Sequence, residues 1–447
     1  MRKLFGTDGV RGVANRELTA KLAFDLGWAG ARVLAKERRH KPLILIGTDT
    51  RLSCDMLEGA MVAGICSTGA DVITVGVIPT PGVAYLTTQY HADAGVVISA
   101  SHNSFEFNGI KFFDGSGYKL PDAIEAEIEV MIAGGGDWND RGGDYVAPVG
   151  DTLGRRRVES SAIDDYRGHL RDSAGFDLTG LRIALDCANG AACEIAPSLF
   201  SALGADVFAF SVDPNGCNIN DRCGSTHIGA LRRHMQNSSA DIGFAFDGDA
   251  DRMLAVDETG GLIDGDALMA LLAIDMKKKG RLKKDTVVAT VMSNIGLELA
   301  VRKQGIRLVR TAVGDRYVLE EMVKNGYNIG GEQSGHIICL DGNTTGDGIY
   351  AALRFLQVLR DCGGRASELA SVVKMAPQTI RNAKVANDKK AAYLEDPLIR
   401  ERCAKLDALF HGEGRVLIRP SGTEPLVRVM IEANDQNLID AEAEALA

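Results

Sequence analysis

Leu43-Ile44-Leu45-Ile46, a helical pattern over residues 52–69, Asp71-Val72-Ile73-Thr74-Val75-Gly76-Val77 and then Gly95-Val96-Val97-Ile98-Ser99 form the stretch that decides the fold. Short apolar β-type runs alternating with helical patterns predict parallel strands joined by crossover helices. The pattern restarts at Leu181-Arg182-Ile183-Ala184-Leu185-Asp186, with strands expected at 205–210 and 241–246. It restarts again at Val287-Val288-Ala289-Thr290-Val291, with a helix near 294–303 and a strand at 306–310. After about residue 366 the chain changes character: a helical stretch, a strand near 414–418, a Pro-Ser-Gly-Thr turn, a strand near 426–432 and a last helix suggest a small α+β domain. The expected domain limits are 1–155, 156–253, 254–366 and 367–447. Gly134-Gly135-Gly136 through Gly142-Gly143-Asp144 reads as a surface loop just before the first limit.

The 447 residues suffice for several domains, each with its own core. Apolar residues make up 45% and charged residues 25%, the balance of an ordinary folded protein. The net charge of −10 argues against a nucleic-acid binder. An anionic ligand must then be met by a local cluster of Arg, Lys and backbone N–H groups. Nine scattered cysteines, an odd number without a C-x-x-C pair, fit reduced thiols in a cytoplasmic protein. Cys217, Cys223 and His227 have the wrong spacing for a structural zinc site. Met1-Arg2-Lys3-Leu4-Phe5-Gly6-Thr7-Asp8 has no apolar core behind its basic residues, so it does not read as a signal peptide. No apolar run is long enough to span a membrane.

Four loops carry chemistry. The first, Ser99-Ala100-Ser101-His102-Asn103-Ser104, leaves the strand ending at Ile98. Asn108-Gly109 reads as a turn, after which a strand over 110–113 brings Lys111 back towards Ser101. From this loop alone, Ser101 is a nucleophile, a phosphate carrier or part of a polar turn. The G-x-S-x-G elbow of α/β-hydrolases is absent. The second, Asp247-Gly248-Asp249-Ala250-Asp251-Arg252, sets three carboxylates on one side of an extended chain, where mutual repulsion favours a hard divalent cation. Glu258 sits at the twelfth position of an EF-hand count, but Arg252 replaces the required glycine and a strand precedes the loop. A solvated acidic turn is the blander alternative.

The third loop is Gly330-Gly331-Glu332-Gln333-Ser334-Gly335-His336. Glu332 and Ser334 alternate on one face and suit sugar hydroxyls, and His336 suits acid/base work or phosphate contact. A tight turn is an equal reading of this segment alone. The fourth is Arg419-Pro420-Ser421-Gly422-Thr423-Glu424-Pro425, followed by Arg428. Its hydroxyls, backbone N–H groups and guanidinium groups suit a phosphate; a plain surface turn is the alternative. Together the four describe phosphoryl transfer between a serine and a phosphosugar, in a cleft shared by all four domains.

On these four loops and their order, the chain resembles the α-D-phosphohexomutase superfamily from end to end. Phe5-Gly6-Thr7-Asp8-Gly9-Val10-Arg11-Gly12, Ser99-Ala100, Val313-Gly314-Asp315-Arg316-Tyr317, Gly331-Glu332-Gln333-Ser334-Gly335-His336 and Thr345-Gly346-Asp347-Gly348 place it in the branch that acts on glucosamine phosphates. The resemblance implies three related α/β units with mixed sheets plus the small C-terminal α+β domain, the active site lying in the central cleft. It implies interconversion of glucosamine 6-phosphate and glucosamine 1-phosphate, feeding UDP-N-acetylglucosamine and cell-wall synthesis, through a phosphorylated Ser101 and glucosamine 1,6-bisphosphate. One Mg2+ would be held by Asp247, Asp249, Asp251 and a phosphoserine oxygen at Ser101. Arg11, His102, Lys111 and His336 match catalytic positions, and Arg252 a phosphoserine contact. Glu332 and Ser334 would hold the sugar, and Arg419, Ser421, Gly422, Thr423 and Arg428 the phosphate that is not reacting. The resemblance further suggests a homodimer.

The alternative substrates are glucose and mannose phosphates; a non-catalytic sugar-phosphate binder and a phosphatase are the other readings. The superfamily usually has Pro after Ser-His-Asn and Asp before Asn-Gly, where this chain has Ser104 and Phe107. Proline fixes φ, so Ser104 is expected to leave the serine loop less rigid.

Overall fold

The apolar β-type runs become strands whose buried faces are covered by amphipathic helices. A computed structural model describes residues 4–6, 8–34, 36, 40–134, 146–421 and 424–447. Its first sheet contains β1 (Val10–Val13), β2 (Leu43–Thr48), β3 (Asp71–Val77), β4 (Ala94–Ile98), β5 (Phe107–Asp114) and β6 (Arg156–Val158), in the order β1-β5-β4-β2-β3-β6. Strands β3, β2 and β4 are parallel, and β5 returns antiparallel beside β4. The second sheet repeats this plan with β7 (Arg182–Asp186), β8 (Asp206–Phe210), β9 (Ile242–Phe246), β10 (Met253–Asp257) and β11 (Leu262–Ile263). Here β8-β7-β9 are parallel and β10 returns antiparallel.

The third sheet repeats it in shorter form. It comprises β12 (Thr286–Thr290), β13 (Arg307–Thr311), β14 (Ile329–Gly331) and β15 (Ile337–Cys339), with only β15 antiparallel. The last sheet is antiparallel throughout: β16 (Gln378–Lys384), β17 (Arg415–Pro420) and β18 (Leu426–Glu432), in the order β16-β18-β17, with helices Pro397–Phe410 and Gln436–Leu446. The fold is thus three related α/β units with mixed sheets and a small C-terminal α+β unit.

One apolar cluster runs through the first three units, from Leu45 and Phe113 through Ile183 and Phe244 to Phe355. Helix Gly265–Lys278 lies within it and is buried on nearly all sides, as its Ala-Leu-Met-Ala-Leu-Leu-Ala-Ile run requires. The C-terminal unit keeps a separate cluster, including Phe410, Val429, Ile431 and Ile439. Among the described residues, no helix is long and apolar enough to cross a membrane.

Three local expectations change. Strand pairing crosses two expected limits: β6 follows residue 155 yet extends the first sheet, while β10 straddles residue 253 and β11 follows it, yet both complete the second. A strand belongs to the sheet it pairs with, whether parallel as β6 or antiparallel as β10, and local composition does not reveal that partner. Strand β16 is polar on its exposed face and carries no apolar run, so the sequence gives no strand there. Asn108-Gly109 is not a turn but lies inside β5. The buried Asn108 amide donates to Ser53 Oγ (2.9 Å), and a Cβ on Gly109 would lie 2.5 Å from the Ser99 carbonyl oxygen. Tertiary partners override the turn propensity. The glycine-rich stretch before residue 155 lies largely outside the described residues.

Candidate active site

Parallel strands of an α/β sheet deliver polar side chains beyond their carboxyl ends. The exit of β2 presents Asp49 and Arg51, that of β4 Ser99 and Ser101, that of β9 the three aspartates, and that of β14 Glu332. Ser101 is 1% exposed and adopts φ +52°, a conformation costly for a residue with a Cβ. Its backbone N–H donates to Ser99 Oγ (3.0 Å), which in turn donates to Asp49 Oδ2 (2.6 Å). The Ser101 hydroxyl donates to Asp247 Oδ2 (2.6 Å), and His102 Nδ1 lies 3.3 Å from Ser101 Oγ. The serine and metal-type loops, 146 residues apart, therefore meet. Gly248 permits this approach: a Cβ there would lie 2.6 Å from the Ser101 carbonyl oxygen.

Asp247, Asp249 and Asp251 are buried, and one oxygen from each lies within 4.8 Å of the others. Burial, then Asp251 and Asp249, pushes the Asp247 carboxyl well above its ordinary range. Burial acts in the same direction on Asp251, but His336, Lys111 and Arg252 outweigh it and hold that carboxyl well below. The buried Oδ1 atoms of Asp249 and Asp251 have no hydrogen-bond partner in the protein. Converging carboxylates with free oxygens fit a hard divalent cation. Thr80, from the first unit, donates to Asp249 Oδ2 (2.7 Å) and orients it.

Around this cluster six titratable side chains, acidic and basic in alternation, form a closed circuit. Lys111 Nζ lies 3.0 Å from Asp8 Oδ2, 2.9 Å from Asp249 and 3.8 Å from Asp251. Lys119 Nζ lies 2.7 Å from Asp8 and also pairs with Asp315. His336 closes the circuit, with Nδ1 3.5 Å from Asp251 and Nε2 3.4 Å from Asp315. Burial would lower the His336 pKa, but Asp251 and Asp315 raise it above the ordinary value. Burial likewise disfavours charge on Lys111, but Asp249, Asp8 and Asp251 keep it cationic. Arg11 pairs with Asp8, and its Nε is buried without a partner. Burial, with Arg252 and Arg11, lowers the His102 pKa.

The circuit borders a cavity of about 500 Å3, whose lining includes Arg11, His102, Arg252, Asp315, Glu332 and His336. That volume and its charged lining suit a small polar ligand.

The structure brings Ser101, Arg11, His102, Lys111, His336, Arg252, Glu332 and the three aspartates to one place. Glu332 Oε1 accepts from Gly314 N–H (3.2 Å), and Ser334 Oγ is buried without a partner on the same loop. The C-terminal residues are not brought there: none of the described residues of the fourth loop lines the cavity. Arg419 and Arg428 face each other across β17 and β18, and burial, then Arg428, lowers the Arg419 pKa. Ser421 accepts on Oγ from Glu424 N–H (3.2 Å), while Gly422 and Thr423 lie outside the described residues. The roles of Thr80, Arg51, Asn220, Lys119, Asp8 and Asp315 escape sequence reasoning. Asp8 and Asp315 lie in motifs that mark the branch, and Asp49-Thr50-Arg51 stands at a strand exit, which is the available signal.

Four family models match in order. They are described as phosphoglucomutase/phosphomannomutase alpha/beta/alpha domain I (residues 2–136), domain II (165–261), domain III (264–375) and the C-terminal domain (381–447). The chain belongs to the phosphoglucomutase/phosphomannomutase family. Within the family, a protein of Ruminiclostridium cellulolyticum named phosphoglucosamine mutase is 56% identical over 446 residues, covering 100% of this chain and 98% of the relative. One of the same name from Clostridium acetobutylicum is 56% identical over 447 residues, with the same coverage. A solved phosphoglucomutase/phosphomannomutase family protein of Burkholderia thailandensis superposes with a TM-score of 0.82 at 25% identity, over 99% of this chain and 96% of its own. N-acetylphosphoglucosamine mutase of Aspergillus fumigatus, solved with GlcNAc-6P and magnesium, shares the fold at a TM-score of 0.68 and 19% identity, over 99% and 94%.

Proposed function

We propose that this mutase-family protein interconverts glucosamine 6-phosphate and glucosamine 1-phosphate through a phosphorylated Ser101 and glucosamine 1,6-bisphosphate. The observation that carries the chemistry is the Ser101 hydroxyl, 2.6 Å from Asp247 among carboxylates with unpartnered oxygens. The choice of sugar is supported by the relatives named phosphoglucosamine mutase, 55–56% identical over essentially the whole chain.

In the first half-reaction the bond from phosphorus to Ser101 Oγ breaks as a sugar hydroxyl oxygen bonds to the same phosphorus. His102, beside Ser101 and on the cavity wall, takes the hydroxyl proton. The bisphosphate then reorients. Its other phosphoryl group returns to Ser101 Oγ, and the product oxygen regains a proton. Lys111, Arg252 and His336 offset the charge of the moving group. Asp247, Asp249, Asp251 and an oxygen on Ser101 would hold Mg2+, which would supply further neutralisation of negative charge there. Glu332 and Ser334 hold sugar hydroxyls. Arg419, Ser421, Gly422, Thr423 and Arg428 hold the resting phosphate once the C-terminal unit closes over the cavity. The nine cysteines, unpaired in the structure, accord with a cytoplasmic setting.

The test is turnover of glucosamine, glucose and mannose phosphates with Mg2+ and a trace of bisphosphate. The expected result is a preference for glucosamine phosphate, with no activity in Ser101→Ala. A glucose preference of about tenfold or more, a gap of about 1.4 kcal/mol, overturns the choice of sugar. Substantial turnover by Ser101→Ala overturns the mechanism.

A further inference from the structure

We propose that Arg51 and Asn220, one from each side of the cleft, are positioning residues that hold Ser101 in register with the aspartate cluster. The inference rests on Ser101 being the phosphoryl carrier. Arg51 has no exposed side-chain surface, and its five N–H bonds all have acceptors. Nε donates to Asp49 Oδ2 (2.9 Å). The two terminal nitrogens donate to three carbonyl oxygens of the serine loop, on Ser101 (3.0 Å), Asn103 (2.8 Å) and Ser104, and to that of Phe107 (3.1 Å) at the start of β5.

Asn220 approaches from the second unit and donates its amide to two of the same oxygens, on Ser101 and Asn103, at 2.9 Å each. Asn220 is itself in the left-handed region, at φ +59°, and Leu52 N–H, next to Arg51, donates to the Gly216 carbonyl of the same second-unit loop (2.9 Å). A left-handed serine must be held by its surroundings. Here a buried guanidinium and an amide grip its carbonyl from two domains, while the hydroxyl meets Asp247 on the other side. Ser104 lacks the φ constraint of a proline, and its carbonyl is one of those Arg51 holds. The restraint that a ring would supply locally comes instead from across the fold.

A clamp of this kind acts on the reacting geometry and leaves the sugar contacts at Glu332 and Ser334 alone. Lysine keeps the charge of Arg51 but not the planar fork that reaches four carbonyls. The experiment compares wild type, Asn220→Ala, Arg51→Lys and Arg51→Ala. It measures kcat per phosphorylated molecule (phosphate on Ser101 counted by intact mass), KM for glucosamine 6-phosphate, and melting temperature. The expected result is a fall in kcat of about tenfold for Asn220→Ala and about 100-fold for Arg51→Lys, with KM within about twofold of wild type. Millimolar guanidinium should restore part of the Arg51→Ala rate.

A lowered melting temperature with an unchanged kcat per phosphorylated molecule in Asn220→Ala and Arg51→Lys overturns the proposal, because the residues then serve stability only. If Arg51→Ala does not fold, Asn220→Ala and Arg51→Lys decide. Wild-type protein that prefers another sugar phosphate refutes the choice of sugar, and the same ratios measured on that sugar still test the clamp.

Discussion

Gly248→Ala is the sharpest test of how closely the serine and aspartate loops must approach. The added Cβ would lie 2.6 Å from the Ser101 carbonyl oxygen, 2.8 Å from Ile219 Cδ1 and 2.9 Å from Asn220 Nδ2. Ordinary contact begins at 3.4 Å, so the Ser101 oxygen and the alanine must separate by about 0.8 Å. Retreat of the aspartate loop is opposed by Gly190, which packs on Gly248 with no room for a Cβ, and by the Ala191 N–H, which donates to the Gly248 carbonyl oxygen (2.8 Å). The displacement therefore falls on Ser101. Overpacking of this size costs about 1–3 kcal/mol, so the protein should still fold. A shift approaching 1 Å at a reacting group costs about 100-fold in rate. The assay is steady-state turnover of glucosamine 6-phosphate with saturating Mg2+ and bisphosphate, beside a thermal melt. A folded Gly248→Ala protein with wild-type kcat would refute the claim that contact between these loops sets the reacting geometry.

Further outcomes follow from other parts of the molecule. His102→Gln should lower kcat about 100-fold or more with little change in melting temperature, and an unaltered rate removes His102 from proton transfer. Burial, then Asp264, raises the Asp266 carboxyl from 3.8 to about 7. The folded protein thus binds this proton more tightly than the unfolded chain, and stability should fall as pH rises from about 4 to about 7, by up to about 4 kcal/mol. Asp266→Asn should flatten that slope in urea titrations at several pH values; parallel curves for the two proteins contradict the assignment. Brief alkylation at neutral pH should label Cys217 and Cys362, which are exposed, and spare Cys54 and Cys187, whose thiols burial pushes up. Peptide mapping that finds Cys187 labelled at the same rate would count against a closed core around β7.

The legible part of this protein is what local pattern encodes. Apolar runs announce the parallel strands, and the polar segments after Ile98, Phe246 and Gly331 announce chemistry at their exits. The unread part depends on partners distant in sequence. Lys119 joins Asp8 and Asp315, the latter 196 residues away, and no spacing rule links them. Arg51 reads as an ordinary residue before a helix until its four carbonyl acceptors are seen. Asn108-Gly109 misleads because turn propensity is a preference of an isolated segment, whereas β5 is held in place by β4 on one side and β1 on the other. Strand β16 is silent because it lies at the edge of a small sheet with an exposed polar face.

The separate core of the C-terminal unit has a thermodynamic corollary. Its junction with the third unit includes polar handles: the Asn294 amide bonds to the Ala376 backbone in both directions (2.9 and 3.0 Å), Ile295 N–H donates to Glu432 (3.0 Å), and Arg415 donates to the Ser293 carbonyl (2.6 Å). Swinging about such a joint trades these hydrogen bonds for hydrogen bonds to water and leaves Phe410, Val429 and Ile431 sheltered. Heat capacity reports apolar exposure. If the unit opens and closes as proposed, the motion should carry a heat-capacity change far smaller than that of unfolding, so its equilibrium would drift less between cold and warm conditions than the stability of the whole chain.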